Sequence, residues 1–246
     1  MNLGWLEVSF DVRDVRATRA FYEKLGFQVV STADEGMSAT LQAGNCRIAL
    51  YQGVLAPAQS QLIFWQGEVE RCAETLAGEG IEFVQELRVS DGAASVMFRD
   101  PDGQPIYVIR EDGVARDDRA PAGPELDRGV FQVSLPVKDL ARTVAFYELL
   151  GFHDADSKPE DRVLGMSNGS DRICLYQGYL DPEELQLIFW QGDIDAMASA
   201  VRREGLGFFR EPNGDAKGAA FMLKDPDGRP LFFINMGKYE KADFAV

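Results

Sequence analysis

The chain is poor in the residues from which most metal and redox centres are built. Its 246 residues include one histidine, His153, and three cysteines, Cys46, Cys72 and Cys174, which are unclustered and odd in number. That spacing indicates neither a disulfide framework nor a zinc knuckle, and reduced thiols are expected. Positive charge is also scarce, with 25 Lys and Arg against 40 Asp and Glu, for a net charge of −15. No nucleic-acid partner and no anionic membrane is expected, because neutralising phosphates requires a basic face. No apolar run approaches the roughly 18 residues of a membrane span. Met1-Asn2-Leu3-Gly4-Trp5 has neither a basic start nor a cleavable apolar segment, so a cytoplasmic location is expected. Divided at Gly123, the charge is 11 minus 19, or −8, before and 14 minus 21, or −7, after. This even acidity has two readings, solubility or a bias toward cationic ligands.

What the chain has in abundance is repetition. Gln-Leu-Ile-Phe-Trp-Gln-Gly occurs at Gln61 to Gly67 and again, unchanged, at Gln186 to Gly192, an offset of 186 − 61 = 125. The same offset relates Ala20-Phe21-Tyr22-Glu23 to Ala145-Phe146-Tyr147-Glu148, Leu50-Tyr51-Gln52-Gly53 to Leu175-Tyr176-Gln177-Gly178, and Asp100-Pro101-Asp102-Gly103 to Asp225-Pro226-Asp227-Gly228. A duplicated chain follows. Between the copies, Glu111 to Gly129 is rich in charge, proline and glycine and has no apolar period. The expected division is therefore a first domain over 1–120, a linker over 121–129 with the boundary near Pro121 to Pro124, and a second domain over 130–246.

Within each copy the pattern of strand, helix and three strands is expected twice. Leu6 to Val12, or Val130 to Val137, reads as a strand, and Asp14 or Asp139 caps a helix closed by Gly26 or Gly151. Strands are expected at Phe27 to Thr32, Met37 to Gln42 and Arg47 to Tyr51, with a hairpin at Asn168-Gly169 in the second copy. The heptapeptide opens the second unit as a strand, with Gln61, Ile63 and Trp65 on one face and Leu62, Phe64 and Gln66 on the other. Glu68 or Asp193 begins the next helix, on which Ile194, Met197, Ala198 and Val201 share a face, and Gly80 or Gly205 ends it. Strands at Phe83 to Leu87, Ala94 to Phe98 and Pro105 to Arg110 complete the unit, the last two joined by Asp100-Pro101-Asp102-Gly103 as a type I turn. The fold class is α+β, four βαβββ modules in all.

Strand, Asp, helix, Phe-Tyr-x-x-Leu-Gly-Phe, a second strand-helix unit and a closing Asp-Pro-Asp-Gly hairpin together resemble the vicinal oxygen chelate superfamily, which includes glyoxalase I, extradiol dioxygenases and bleomycin-resistance proteins. The resemblance covers nearly the whole chain. It implies a glyoxalase-like pairing of modules into two cup-shaped mixed-sheet domains, each cup enclosing a cavity. It also implies a pseudo-dimer within one chain, which is then a monomer or a homodimer. In that family a metal, where present, is held by His, Gln or Glu from the first and last strands of each module. Those positions correspond here to Glu7, Ala49, Gln61 and Tyr107, and to Gln132, Cys174, Gln186 and Phe232. A divalent ion needs three or more good ligands. Neither set supplies them, and His153 falls outside both, so no metal and no cofactor is expected.

The cup faces that the resemblance implies place Glu7, Ser9, Ala49, Tyr51, Gln61, Ile63, Trp65 and Tyr107 inward, with Gln132, Tyr176, Gln186, Trp190 and Phe232 as counterparts. Flat rings with a few polar groups suit a small-molecule ligand, aromatic or cationic. The same rings in a closed core are the other reading. Burying an unpaired amide costs about 1 to 3 kcal/mol, so Gln61 and Gln186 are each expected to find a partner. Gln52 and Gln177 read as turn residues. Glu7, whose counterpart is the neutral Gln132, either completes an acidic aromatic box for a cation with Tyr51, Trp65 and Tyr107, or stands at the rim paired with an arginine. The leading functional reading is a metal-free small-molecule-binding protein, drug- or metabolite-sequestering, of the glyoxalase/bleomycin-resistance type. The alternatives are a glyoxalase-like lyase, isomerase or dioxygenase with atypical or absent metal ligands, with Glu7 as general base in the isomerase case, and an interaction module with filled cups.

Overall fold

The computed structural model describes residues 1–55, 60–114, 130–155, 162–178, 185–190, 193–215 and 218–235. The expected linker over 121–129, and the Gln-Gly that ends the second heptapeptide, lie outside these residues. The first repeat runs β1 (Gly4–Asp11), α1 (Val15–Lys24), β2 (Gln28–Ala33), β3 (Ser38–Ala43), β4 (Cys46–Tyr51), β5 (Ser60–Gln66), α2 (Val69–Gly78), β6 (Phe83–Ser90), β7 (Ala93–Arg99) and β8 (Pro105–Glu111). The second runs β9 (Val130–Pro136), α3 (Leu140–Leu149), β10 (His153–Asp154), β11 (Val163–Ser167), β12 (Arg172–Tyr176), β13 (Gln186–Trp190), α4 (Ile194–Arg203), β14 (Arg210–Asp215), β15 (Gly218–Lys224) and β16 (Pro230–Asn235). Four βαβββ modules are thus present, and the fold is α+β.

Each repeat contributes one eight-stranded mixed sheet, in the orders β2-β3-β4-β1-β5-β8-β7-β6 and β10-β11-β12-β9-β13-β16-β15-β14. The central pairs β5·β8 and β13·β16 are parallel, while the pairs flanking them toward β6 and β14 are antiparallel. The helices start where side chains can cap them. Asp14 Oδ1 accepts from Arg16 N–H at 2.9 Å and Ala17 N–H at 3.1 Å, and Asp193 Oδ1 from Ala196 N–H at 2.8 Å. Such caps are each worth about 1 kcal/mol. Glu68 precedes α2 without capping it and instead accepts from the Asn2 amide at 2.8 Å, a bond that, with Arg71, holds its carboxyl below the ordinary range. Gln52 and Gln177 do more than turn the chain: Gln52 Oε1 accepts from Val15 N–H at the start of α1, and Gln177 Nε2 donates to Lys138 O at 2.6 Å.

The described chain gathers into two compact units, and neither is a repeat. One comprises 1–9, 60–117 and 135–184, the other 10–59, 118–134 and 185–246. Each contains modules from both halves of the sequence, and the Asp-Pro-Asp-Gly turn is what joins them. In the first unit Tyr147 Oη donates to Asp100 Oδ2 at 3.2 Å, Thr143 Oγ1 to Asp102 Oδ2 at 2.7 Å and Lys138 N–H to Asp102 Oδ1 at 2.8 Å. In the second, Tyr22 Oη donates to Asp225 Oδ2 at 3.4 Å, Thr18 Oγ1 to Asp227 Oδ2 at 2.8 Å and Arg13 N–H to Asp227 Oδ1 at 2.9 Å. The turn itself closes as expected, Gly103 N–H to Asp100 O at 3.0 Å and Gly228 N–H to Asp225 O at 2.9 Å. Burial pushes the Asp100 and Asp225 carboxyls up, against the hydrogen bonds they accept. Rings pack around both latches. Phe98 meets Phe146, and Tyr147 meets Phe152, in the first unit, while Tyr22 meets Phe27 in the second.

One face of each sheet is closed by apolar side chains. Val8, Phe64, Val96, Phe98, Ile106 and Val108 are all fully buried, with Val69, Cys72, Ala73 and Leu76 of α2 also buried. In the second unit Phe189, Phe233 and Phe221 stack in a column at 4.9 and 4.6 Å. All three cysteines are free and buried, and burial pushes the Cys72 thiol up to about 12, which leaves it protonated and a poor nucleophile.

Candidate functional site

The alternate face of β5, β8, β7 and β6 in the first unit is the half-open one. Here Trp65, Tyr107, Ile109, Ser95, Met97 and Gln85 are half-buried, while their sequence neighbours Phe64, Val96, Phe98, Ile106 and Val108 are closed off. Strand alternation produces that difference. The register fixes rows across the sheet: Ile63, Tyr107 and Met97 form one, and Trp65, Ile109, Ser95 and Arg88 the next.

At the β1 side of this face lies a compact aromatic-acid cluster. Trp5 and Trp65 stack with centroids 5.8 Å apart and planes 19° from parallel. Trp65 Nε1 donates to Glu7 Oε1 at 3.3 Å, and Glu7 is only 1% exposed. The backbone is shaped to allow the stack. Gly4 has φ +82°, and a Cβ there would lie 1.7 Å from the Trp65 carbonyl oxygen. At the same end of β5, Gln66 takes φ +64°, leaves the strand's two-faced pattern, and its Nε2 donates to Glu111 O at 2.6 Å and Val114 O at 2.5 Å. Gly67 follows because a Cβ there would meet Leu3 O at 2.6 Å.

Further along the row that starts at Trp65, the β6–β7 hairpin borders an open hollow of about 570 Å³ lined by Leu87, Arg88, Val89, Ser95 and Ile109, among others. With strands about 4.8 Å apart, the Trp65 backbone lies one strand from Ile109 and two from Ser95. The volume falls within the range of small-molecule sites.

The expected site residues divide between the units. Glu7, Ser9, Gln61, Trp65 and Tyr107 come together in the first on β1, β5 and β8; Gln61 is half-buried and Ser9 fully buried. Among the described residues the Ser9 hydroxyl has no hydrogen-bond partner, and neither has that of its counterpart Ser134. Gln132, Gln186, Trp190 and Phe232 come together in the second on β9, β13 and β16, where Gln186 pairs in register with Ser134, Ile188 with Gln132 and Phe232. There Gln132 and Gln186 are buried, at 7% and 1% exposure, and Trp190 and Phe232 half-buried. Tyr51, half-buried on β4, belongs to the second unit, and Tyr176, fully buried on β12, to the first. Trp5 was not among the expected residues, although it shares strand parity with Glu7. Arg88 was not expected either, because register shifts between Phe83, Gln85 and Arg88 break the alternation of β6.

The side chains at the family positions are poor in metal-ligating groups. Glu7, Gln61 and Tyr107 offer one carboxylate, which already accepts from an indole; Gln132, Gln186 and Phe232 offer two amides and a ring. Among the described residues no three His, Cys, Asp or Glu side chains gather at ligating distance, and His153 is exposed on the short β10. No helix of the described chain is long and apolar enough to cross a membrane.

Comparison with known proteins places the chain. The profile of the Glyoxalase/Bleomycin resistance protein/Dioxygenase superfamily matches residues 6–108 and 129–231. No curated protein matches it in sequence. Among solved structures it is similar to a catechol 2,3-dioxygenase, with 20% identity, TM-score 0.64 and 94% of this chain and 86% of that one covered. It is also similar to the Mn(II)-bound glyoxalase from Novosphingobium aromaticivorans, with 16% identity, TM-score 0.66 and coverage of 96% and 83%. The homoprotocatechuate 2,3-dioxygenase from Arthrobacter globiformis is similar at 21% identity, TM-score 0.66 and coverage of 96% and 79%. At these identities the likeness is one of fold.

Proposed function

The chain belongs to the Glyoxalase/Bleomycin resistance protein/Dioxygenase superfamily, and we propose that it binds and sequesters a flat small molecule on the half-open face of its first unit, without a metal. The observation that carries this reading is the Trp5–Trp65 stack, oriented by Glu7 and adjoining the hollow of about 570 Å³. A stacked pair whose indole N–H is fixed by a buried carboxylate is a rigid wall, and a rigid wall binds a planar ligand with little loss of side-chain freedom. Glu7 serves here to orient Trp65. The metal-free part of the reading rests on the donor set, in which one engaged carboxylate, one amide and one phenol replace the imidazoles and carboxylates a divalent ion requires.

The test uses the intact chain and the neutral probe 2-naphthylmethanol, followed by calorimetry. The probe is expected to bind one site, with affinity unchanged by a chelator. Trp65→Phe is expected to weaken it by about fivefold to tenfold, or roughly 1 kcal/mol, and Trp190→Phe to leave it unaltered. Absence of binding, or a stoichiometric transition metal in native mass spectrometry whose removal abolishes binding, would overturn the proposal.

A further inference from the structure

We infer that the ligand of this face is an anion, a planar carboxylate whose ring lies over Trp65 and Ile109 and whose charged group reaches Arg88; this rests on the proposed binding function and specifies its ligand class. Arg88 lines the hollow and stands in the register row that runs from Trp65 through Ile109 and Ser95. Gln85 Nε2 donates to Ser95 Oγ at 3.1 Å, which puts Gln85 on the half-open face, and Arg88 shares that face as the register partner of Ser95.

In a chain with 40 acidic and 25 basic residues, a guanidinium with no carboxylate beside it is available to an anion; Arg16 and Arg142 share that state among the described residues, but Arg88 is the one that lines this hollow. Arg13, Arg19, Arg71, Arg110, Arg202 and Arg229 all hold carboxylates. Among the described residues Arg88 forms no ion pair and no side-chain hydrogen bond, and its acidic chain neighbours Glu86 and Asp91 do not engage it. Its planar fork of donors fits a carboxylate in two parallel hydrogen bonds. The acidic group of the face lies on β1, on the far side of β5 from the hairpin. Glu7 is buried and accepts from the Trp65 indole, so it presents that indole to the ligand and leaves the open charge to Arg88. Leu87 and Val89, 38% and 63% exposed, flank Arg88 in sequence and also line the hollow. The polarity of the site therefore runs from a ring platform at Trp65 to a cation at the hairpin, the reverse of an acidic box for an amine.

The experiment compares three probes of one ring system on the full chain by calorimetry at low salt: 2-naphthoate, 2-naphthylmethanol and 2-naphthylmethylammonium. The expected order of affinity is carboxylate, then alcohol, then ammonium. Arg88→Ala is expected to weaken naphthoate by about tenfold and to leave the alcohol within about twofold, and Arg88→Lys to restore part of the loss. Raising ionic strength is expected to erode the carboxylate's advantage alone. Equal binding of all three probes, preference for the ammonium, or indifference of naphthoate to Arg88→Ala would overturn the inference while leaving the binding function in place. If none of the three binds, both fall. Arg88 is an exposed edge-strand residue, so its variants retain the fold, which far-ultraviolet circular dichroism checks.

Discussion

The two units carry equivalent parts with their charges placed differently. In the first, the face holds a buried acid, Glu7, bonded to an indole, and the latch acid Asp100 is held by Tyr147 and backbone amides alone. In the second, the face position of Glu7 is the neutral Gln132, while the latch acid Asp225 gains a guanidinium, Arg229 Nη1 at 3.2 Å, where the first unit has Gln104. Arg229 also donates to Asp11 O, and Arg13 to Pro226 O, so cations cluster at the second latch. Duplication kept the shape of both parts, because strand register and buried rings tolerate little change. Polar partners diverged, because a buried acid requires donors of some kind, and a guanidinium or a tyrosine with amides can supply them. The proposed binding face lies in one unit and the guanidinium-supported latch in the other.

The contrast can be broken most forcefully at Gly4. Gly4→Ala sets a Cβ against the Trp65 carbonyl at a left-handed φ, and is expected to cost about 3 kcal/mol or more in urea unfolding, with loss of the near-ultraviolet signal of the stacked indoles. The latches offer a finer test. Tyr147→Phe leaves Asp100 without a side-chain donor and is expected to cost about 2 kcal/mol, whereas Tyr22→Phe leaves Asp225 with Arg229 and is expected to cost about 1 kcal/mol. Equal losses would show that Arg229 does not support the second latch.

A smaller effect distinguishes binding hydroxyls from structural ones. Ser9→Ala and Ser134→Ala remove buried hydroxyls that have no partner among the described residues, so each is expected to change stability by less than about 0.5 kcal/mol. Only Ser9→Ala is expected to weaken a naphthyl probe, an outcome calorimetry decides. Comparably small is the effect of the Glu70–Arg110 pair at 2.6 Å, about 40% exposed on both sides. Hydrogen bonding to Arg110 lowers the Glu70 carboxyl from 4.5 to about 2. The folded-state value lies below the unfolded one, so its stabilisation is present above pH 4.5 and is lost as pH falls toward 2. For so exposed a pair the magnitude is about 0.5 kcal/mol. Arg110→Gln is expected to lower stability by that amount at pH 7, and thermal melts should show the gap from wild type closing below pH 3.

Much of this was legible in the letters. The offset of 125 predicted four modules, Asp14, Asp139 and Asp193 predicted helix starts, and alternation in Gln61 to Trp65 predicted which side chains share a face. Trp5 was legible by the same parity. The partnership of Asp100 and Asp102 with Tyr147 and Thr143, and of Asp225 and Asp227 with Tyr22 and Thr18, was not. Asp-Pro-Asp-Gly has a complete local explanation as a turn, and nothing in a single sequence says that its second lone pairs are used by a helix from the other repeat. Arg88 was hidden for a different reason, because register irregularities in β6 erase the period from which facing is read.

The sequence by itself determined the repeats, their elements and the shortage of metal ligands, since each depends on composition or on contacts a few residues apart. Tertiary structure alone decided that the compact units draw modules from both repeats, and that Trp65, Ile109, Ser95 and Arg88 stand in one row. Those outcomes depend on closing loops of tens to hundreds of residues. The choice among such closures is made by the sum of many buried contacts, which leaves no local mark on the chain.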